Sequence, residues 1–246
     1  MLYYSMASGS DTSIIIPCKN ESGNLISLVE SIALILKAND EIIIVEGNST
    51  DSTFFEAKSL ESRFPKQVRA LKQSKKGKFN AVLTGVSYSK CSTIMIWDAD
   101  ATVNFQQNYE VYSHTTSNNV LISGDRLHGV RDKGSMQIAN LCGNWFFAIL
   151  WTGILKQSPV DLLCGTKKFP RLLLEKTPKW LIDLDPFGDF TIFSMAKKEK
   201  MSIISIPVHY HARSYGKTNI SRWSDGLKLL WITLIIYIRF YLKKFK

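Results

Sequence analysis

The stretch Thr93-Ile-Met-Ile-Trp-Asp98-Ala-Asp100 constrains this chain more than any other. Its apolar side chains follow one another without alternation. That is the pattern of a strand buried on both faces, as in a parallel sheet covered by helices. The run stops at two acids, Asp98 and Asp100, which places both carboxylates at the carboxyl edge of the sheet. Open α/β sheets bind their ligands at that edge. Two hard oxygen donors there suit Mg2+ or Mn2+, cations that commonly also hold substrate phosphates. The same two acids would also serve in a solvated turn or as the cap of a following helix, so the rest of the chain has to decide.

The first half of the chain alternates strand and helix patterns. Ser13-Ile-Ile-Ile-Pro17 reads as a short apolar strand, and a helix follows with Leu25, Leu28, Val29, Ile32 and Leu36 on its inner face, capped by Asn20 or Ser22. Glu41 to Val45 is a second buried strand that runs into Glu46-Gly-Asn-Ser-Thr-Asp51, a loop of turn and cap residues. A helix through Phe54, Phe55, Ala57 and Leu60 comes next, then a strand at Val68 to Leu71, then a helix opened by Lys75-Lys-Gly77-Lys78. This alternation predicts an α/β domain with a largely parallel sheet. Beyond it, Val120 to Arg126 reads as a strand ending in charge, residues 136–156 as a long apolar helix, and Ile203 to Tyr210 as a late strand. The long apolar helix fits a core position; a membrane-facing role is the other reading.

Charge narrows the partner classes. The 246 residues carry a net charge of +10, which points to nucleic acid, an anionic membrane or a phosphorylated substrate. Nearly all of that excess lies after residue 196, where eleven basic residues face only Glu199 and Asp225. Trp223 to Phe245 reads as one helix whose apolar core, Leu229 to Ile238, is too short for a membrane span, since a span needs ~20 residues. Such a helix suits either the plane of a membrane interface, basic groups toward anionic headgroups, or ordinary packing with a solvated basic end. Cys18, Cys91, Cys142 and Cys164 are scattered and form no metal-type pairs, so reduced structural thiols are expected. The first residues lack a basic region ahead of a long apolar one, and no signal peptide is expected.

Four polar clusters follow expected strands: Lys19-Asn-Glu21, Glu46 to Asp51, Asp98 with Asp100, and Asp125-Arg126. Parallel strands share their carboxyl edge, so the four should converge. Acids in the first two suit hydrogen bonds to a base and a ribose, the third suits a metal, and Arg126 suits bidentate contact with phosphate.

In order and spacing, Ser13 to Glu21, Glu41 to Thr53, Lys76-Gly-Lys78 and Asp98-Ala-Asp100 resemble the family-2 glycosyltransferases. Gly124-Asp-Arg126, Asp161 to Lys167 and Ile206 to Asn219 resemble their polyprenol-phosphate branch, the dolichol-phosphate mannose synthase-like enzymes. The resemblance implies a GT-A fold, a Rossmann-like sheet flanked by helices, over residues 12–222. A tail at 1–11 would precede it and a basic amphipathic helix at 223–246, fit for a membrane surface, would follow. It implies a nucleotide-diphosphate sugar as donor and a lipid-linked acceptor, with no nucleic acid, at the cytosolic face of a membrane. By position it implies that Pro17, Lys19, Glu21 and Glu46 line the nucleotide pocket and that Asp100, with Asp98, holds Mg2+ or Mn2+. Arg126, Arg213 and Lys217 would meet phosphate groups, and Lys78 would lie over the donor phosphates.

The expected chemistry is a single displacement with inversion at the anomeric carbon, in which cations neutralise the departing diphosphate. A lipid phosphate acceptor needs no general base. A sugar hydroxyl does, and Asp189 in Phe187-Gly-Asp-Phe190 is the candidate, unless it is simply the acid that begins a helix. His209 and His211 stand two apart on the late strand and so face the same way, which suits either metal binding or a satisfied polar pair. Two other functions remain to be weighed: a nucleotidyltransferase, and a non-enzymatic basic protein that binds membrane or nucleic acid, although no nucleic-acid motif is recognisable.

Overall fold

A computed structural model describes residues 11–114, 119–213, 215 and 222–242 of the chain. The expected alternation holds through β1 (Thr12–Cys18), α1 (Leu25–Ala33), β2 (Glu41–Glu46), α2 (Thr53–Arg63), β3 (Val68–Lys72), α3 (Lys78–Tyr88) and β4 (Thr93–Ile96). The chain continues as α4 (Phe105–His114), β5 (Val120–Asp125), α5 (Ile138–Leu155), β6 (Lys167–Pro170), α6 (Leu172–Glu175), α7 (Lys179–Leu184), α8 (Asp189–Lys198), β7 (Ser202–Pro207) and α9 (Arg222–Tyr241).

The seven strands form one sheet in the order β3-β2-β1-β4-β6-β5-β7. Every pairing is parallel except those of β6, which runs antiparallel between β4 and β5. Successive side chains of the apolar strands point to opposite faces. Ile14, Ile16, Ile42, Ile44 and Met95 therefore pack with α1, α2 and α4 in one core, and Ile15, Ile43, Val45, Ile94 and Ile96 pack with α3, α5, α8 and α9 in the other. Each fully buried isoleucine contributes about 1.5–3 kcal/mol. The second core also needs closeness: a Cβ on Gly85 of α3 would lie 2.7 Å from Ile15 Cγ2.

Several details differ from the sequence reading. Neither Asn20 nor Ser22 caps α1. Asn24 stands at the cap position, and Asn20, in a left-handed conformation, turns its Oδ1 to the Thr50 amide instead. The late strand stops at Pro207, where the proline ends the ladder, and Tyr210 makes only isolated bridges to Val103 and Arg131. β6 has no apolar run to announce it, being Lys-Lys-Phe-Pro, yet Lys167 and Lys168 are both buried. Each lysine serves a different face: Lys167 Nζ pairs with Asp189, and Lys168 Nζ donates to the Tyr112 carbonyl near the end of α4.

The C-terminal helix is part of the packing. Leu229, Ile232, Thr233 and Ile236 of α9 are buried, and Trp151 Nε1 of α5 donates to Thr233 Oγ1 at 3.0 Å. Its opposite face carries Trp223, Leu227, Trp231, Leu234, Ile238 and Leu242 in the open, with Trp223 87% and Trp231 61% exposed. The long helix α5 divides along its length. Phe147, Ala148, Trp151, Ile154 and Leu155 are core, whereas Ile138, Phe146 and Ile149 are exposed. By length and composition alone α5 could cross a membrane.

Candidate active site

β1, β2, β4 and β5 end at one edge, and β6, running the other way, begins there. The edge therefore collects Cys18, Glu46, Asp98, Asp125 and Lys167. Two of its loops are stapled together: Gly47 N donates to the Cys18 carbonyl, Asn20 N to Ser49 Oγ, Glu21 N to Thr53 Oγ1 and Ser22 N to Asp51 Oδ2. Glu46 is buried and accepts from the Ser49 amide. The result is a rigid floor on the β1 and β2 side.

The two acids of the Asp-x-Asp each hold a cationic side chain. Lys78, at the start of α3, approaches Asp98 Oδ1 to 2.6 Å. Burial alone would raise the Asp98 carboxyl, but the Lys78 ammonium, with help from Lys167 and Arg126, holds it below the usual carboxylate range. Burial likewise opposes charge on Lys78, yet Asp98, Asp189 and Asp100 push its ammonium upward. Arg213 Nη2 lies 2.7 Å from Asp100 Oδ2, and its Nη1 lies 3.2 Å from Glu21 Oε1. Glu21 is raised by burial, against the lowering effect of Asn24 and Arg213.

Backbone geometry sharpens the pair. Ala101 adopts φ +54°, a left-handed conformation that disfavours any side chain. It turns Thr102 back so that its amide and hydroxyl both donate to Asp100 Oδ1, at 3.2 and 2.8 Å. On the other side Gly165 admits Asp98 closely: a Cβ there would lie 1.7 Å from Asp98 Oδ2. Asp98 and Asp100 thus present hard oxygen donors at one strand end, each paired with a cationic side chain, and donors of this kind fit a Mg2+ or Mn2+ ion.

The remaining expected residues fall into place unevenly. Pro17 lies in β1 opposite Val45, and Lys19 is exposed beside Gly47 at the stapled loops. Arg126 reaches the edge, but its fork is committed to Asp161, with Nε–Oδ2 at 2.7 Å and Nη2–Oδ1 at 2.9 Å, and its face lies over the Tyr210 ring. The bidentate partner expected to be phosphate is an internal carboxylate. Asp189 opens α8 and pairs with the buried Lys167 at 2.5 Å, so it does begin a helix, and it also neutralises a cation. Lys217 lies outside the described residues.

Three residues at this edge carried no expectation. Asp161 has a signal in the Asp161 to Lys167 motif, and Gly165 in the same motif. Gln73, just past β3, has none: it is buried beside Gly47, and its Oε1 has no hydrogen-bond partner among the described residues.

A mostly parallel sheet with one antiparallel strand and an Asp-x-Asp at its carboxyl edge is a GT-A type fold. The chain belongs to the glycosyl transferase family 2, whose model matches residues 13–155, more than half of it. A dolichol-phosphate mannosyltransferase of Pyrococcus furiosus is 36% identical over 90 residues, which is 36% of this chain and 25% of that protein, so the match spans a quarter of the relative's length. Among solved structures, glucosyl-3-phosphoglycerate synthase of Mycobacterium tuberculosis in complex with Mn2+, UDP and glucosyl-3-phosphoglycerate is similar with a TM-score of 0.61 and 16% identity. The alignment covers 92% of this chain and 79% of that one. Mannosyl-3-phosphoglycerate synthase of Rubrobacter xylanophilus has a TM-score of 0.65 and 14% identity, over 91% and 73% of the two chains.

Proposed function

We propose that this chain is a glycosyltransferase that moves a sugar from a nucleotide-diphosphate donor to a polyprenyl phosphate at the cytosolic face of a membrane, with inversion at the anomeric carbon. The observation that carries the lipid acceptor is the exposed apolar face of α9, from Trp223 through Leu227, Trp231 and Leu234 to Leu242. That face borders Lys228 and is followed in sequence by Lys243, Lys244 and Lys246, a charge pattern that complements anionic headgroups. The partial match to a dolichol-phosphate mannosyltransferase supports the same acceptor class.

The donor's base would sit over the stapled loops, among Pro17, Lys19, Glu21 and Glu46. Asp98 and Asp100 would hold Mg2+ or Mn2+, which supplies positive charge to the departing diphosphate. Lys78 and Arg213, now neutralising these acids, add cationic charge at the same place. An oxygen of the acceptor phosphate attacks the anomeric carbon as its bond to the donor diphosphate breaks, and the nucleoside diphosphate leaves. The acceptor is already an anion, so no proton has to be removed.

The test supplies purified protein and Mn2+ with labelled nucleotide sugars and three acceptors: a polyprenyl phosphate, the corresponding polyprenol, and a free sugar. Transfer that requires the phosphate, with release of a nucleoside diphosphate, is expected. Equal transfer to polyprenol or to the sugar hydroxyl would overturn the lipid-phosphate reading, and release of pyrophosphate would indicate a nucleotidyl transfer.

A further inference from the structure

Three metal-ligating side chains meet away from the Asp-x-Asp. Asp132 Oδ1 lies 2.7 Å from His209 Nε2, and its Oδ2 lies 3.0 Å from His211 Nδ1. The ligand atoms of the three residues all fall within 4.8 Å of one another, and each side chain is about one-third exposed, with side-chain exposures of 39%, 37% and 32%. Backbone bonds hold the two segments in this relation independently of the side chains: Asp132 N donates to the Tyr210 carbonyl at 3.0 Å and Tyr210 N to the Val130 carbonyl at 2.8 Å. The ligands are thus brought together by the fold.

The group of three includes neither Asp98 nor Asp100, although it adjoins them: His211 N donates to the carbonyl of Thr102, the residue that caps Asp100, at 2.8 Å. Tyr210 is locally extended, so its neighbours take the opposite face. The Tyr210 ring lies against Arg126 on the side of the catalytic edge, while His209 and His211 both turn to Asp132.

We propose that Asp132, His209 and His211 form a second metal site, for a borderline divalent cation such as Zn2+. Two imidazole nitrogens and one carboxylate oxygen suit that ion, with solvent completing the shell, whereas Mg2+ prefers oxygen donors alone. Bonds of about 2.0–2.1 Å in tetrahedral geometry need ligand atoms about 3.3 Å apart, so the 2.7 and 3.0 Å contacts of Asp132 with His209 and His211 would open by about 0.6 and about 0.3 Å on binding. The ion ties the 126–132 loop to the 208–213 segment. Arg213, two residues past His211, bridges Glu21 and Asp100, so occupancy of this site fixes the segment that delivers the arginine.

The test strips the full chain with a chelator and titrates it calorimetrically with Zn2+ in excess Mg2+, which occupies the oxygen site. Wild type should take up one Zn2+ per chain and melt at a higher temperature. His209→Gln and His211→Gln should each weaken uptake at least ~10-fold, the lower limit for loss of even an outer-shell partner, and should abolish the thermal shift. Asp100→Asn should keep both. Circular dichroism confirms that each variant is folded. Three results would overturn the proposal: no Zn2+ uptake by wild type, uptake indifferent to the histidine substitutions, or uptake lost in Asp100→Asn, which would assign the ion to the catalytic edge.

Discussion

Arg213 Nη2 reaches Asp100 Oδ2 at 2.7 Å across 113 positions of chain, and the same guanidinium holds Glu21. One arginine from the segment after β7 therefore joins the acids of two different strand ends. In the proposed mechanism it follows developing negative charge on a phosphate. Arg213→Met should lower sugar transfer by about 10²–10³-fold, the scale of one lost contact to developing charge. Melting temperature should fall as well, because the largely buried Glu21 and Asp100 carboxylates lose their cationic partner. Steady-state kinetics beside a thermal melt measures both; unaltered transfer would remove Arg213 from the reaction.

The Arg126–Asp161 pair gives a prediction about stability instead of chemistry. Asp161 is fully buried and Arg126 nearly so. Burial would raise the Asp161 carboxyl, but the guanidinium and its N–H donors hold it below the ordinary value of 3.8. Its contribution to stability is therefore present above pH 3.8 and lost as the pH falls below it. Asp161→Leu leaves a buried unpaired cation and should cost about 3–5 kcal/mol in urea unfolding. Adding Arg126→Met should recover most of that loss, and a double variant no better than the single one would contradict the pairing.

Gly165 tests how tightly Asp98 is placed. With a Cβ 1.7 Å from Asp98 Oδ2, Gly165→Ala has to push the carboxylate aside. A displacement of about 1 Å in a positioned group can cost ~10²-fold. The expected outcome is a fall in kcat/KM of that order with a retained circular dichroism spectrum. Wild-type kinetics in this variant would mean that Asp98 has room to spare.

Lys168 sets a pH dependence. Burial, reinforced by Lys37 and opposed by Asp40, pushes its ammonium down to about 8 from the ordinary 10.5. Between these values the unfolded chain binds a proton that the folded protein has released, so stability rises with pH through the window. Relative to Lys168→Met, wild type should gain up to about 3 kcal/mol between pH 8 and pH 10.5. Urea unfolding of both proteins across that range measures it, and a flat or falling difference would contradict the burial of the charge.

Much of this architecture is legible in the sequence because the strands that carry it are buried on both faces. Ile14 to Ile16, Ile42 to Val45 and Ile94 to Ile96 announce themselves as unbroken apolar runs, and the polar residues after them mark the carboxyl edge of the sheet. β6 does not announce itself. Its lysines are compatible with burial only because Asp189 and the Tyr112 carbonyl receive them, and those partners are 22 and 56 positions away. The same distance hides the Arg126–Asp161 pair: an arginine that looks available for phosphate along the chain is already neutralised in three dimensions. His209 and His211 are visible as a pair, but Asp132, which gives them a role, lies 77 and 79 positions earlier.

The central claim is that sugar transfer is organised by a divalent cation at Asp98 and Asp100. Its most direct test is transfer from a nucleotide sugar to polyprenyl phosphate by wild type and Asp100→Ala, each with Mn2+ and after chelation. The account predicts that wild-type activity needs the metal and that the variant, still folded, loses at least ~10²-fold with the metal present. Undiminished transfer by Asp100→Ala, or by chelated wild type, would contradict it.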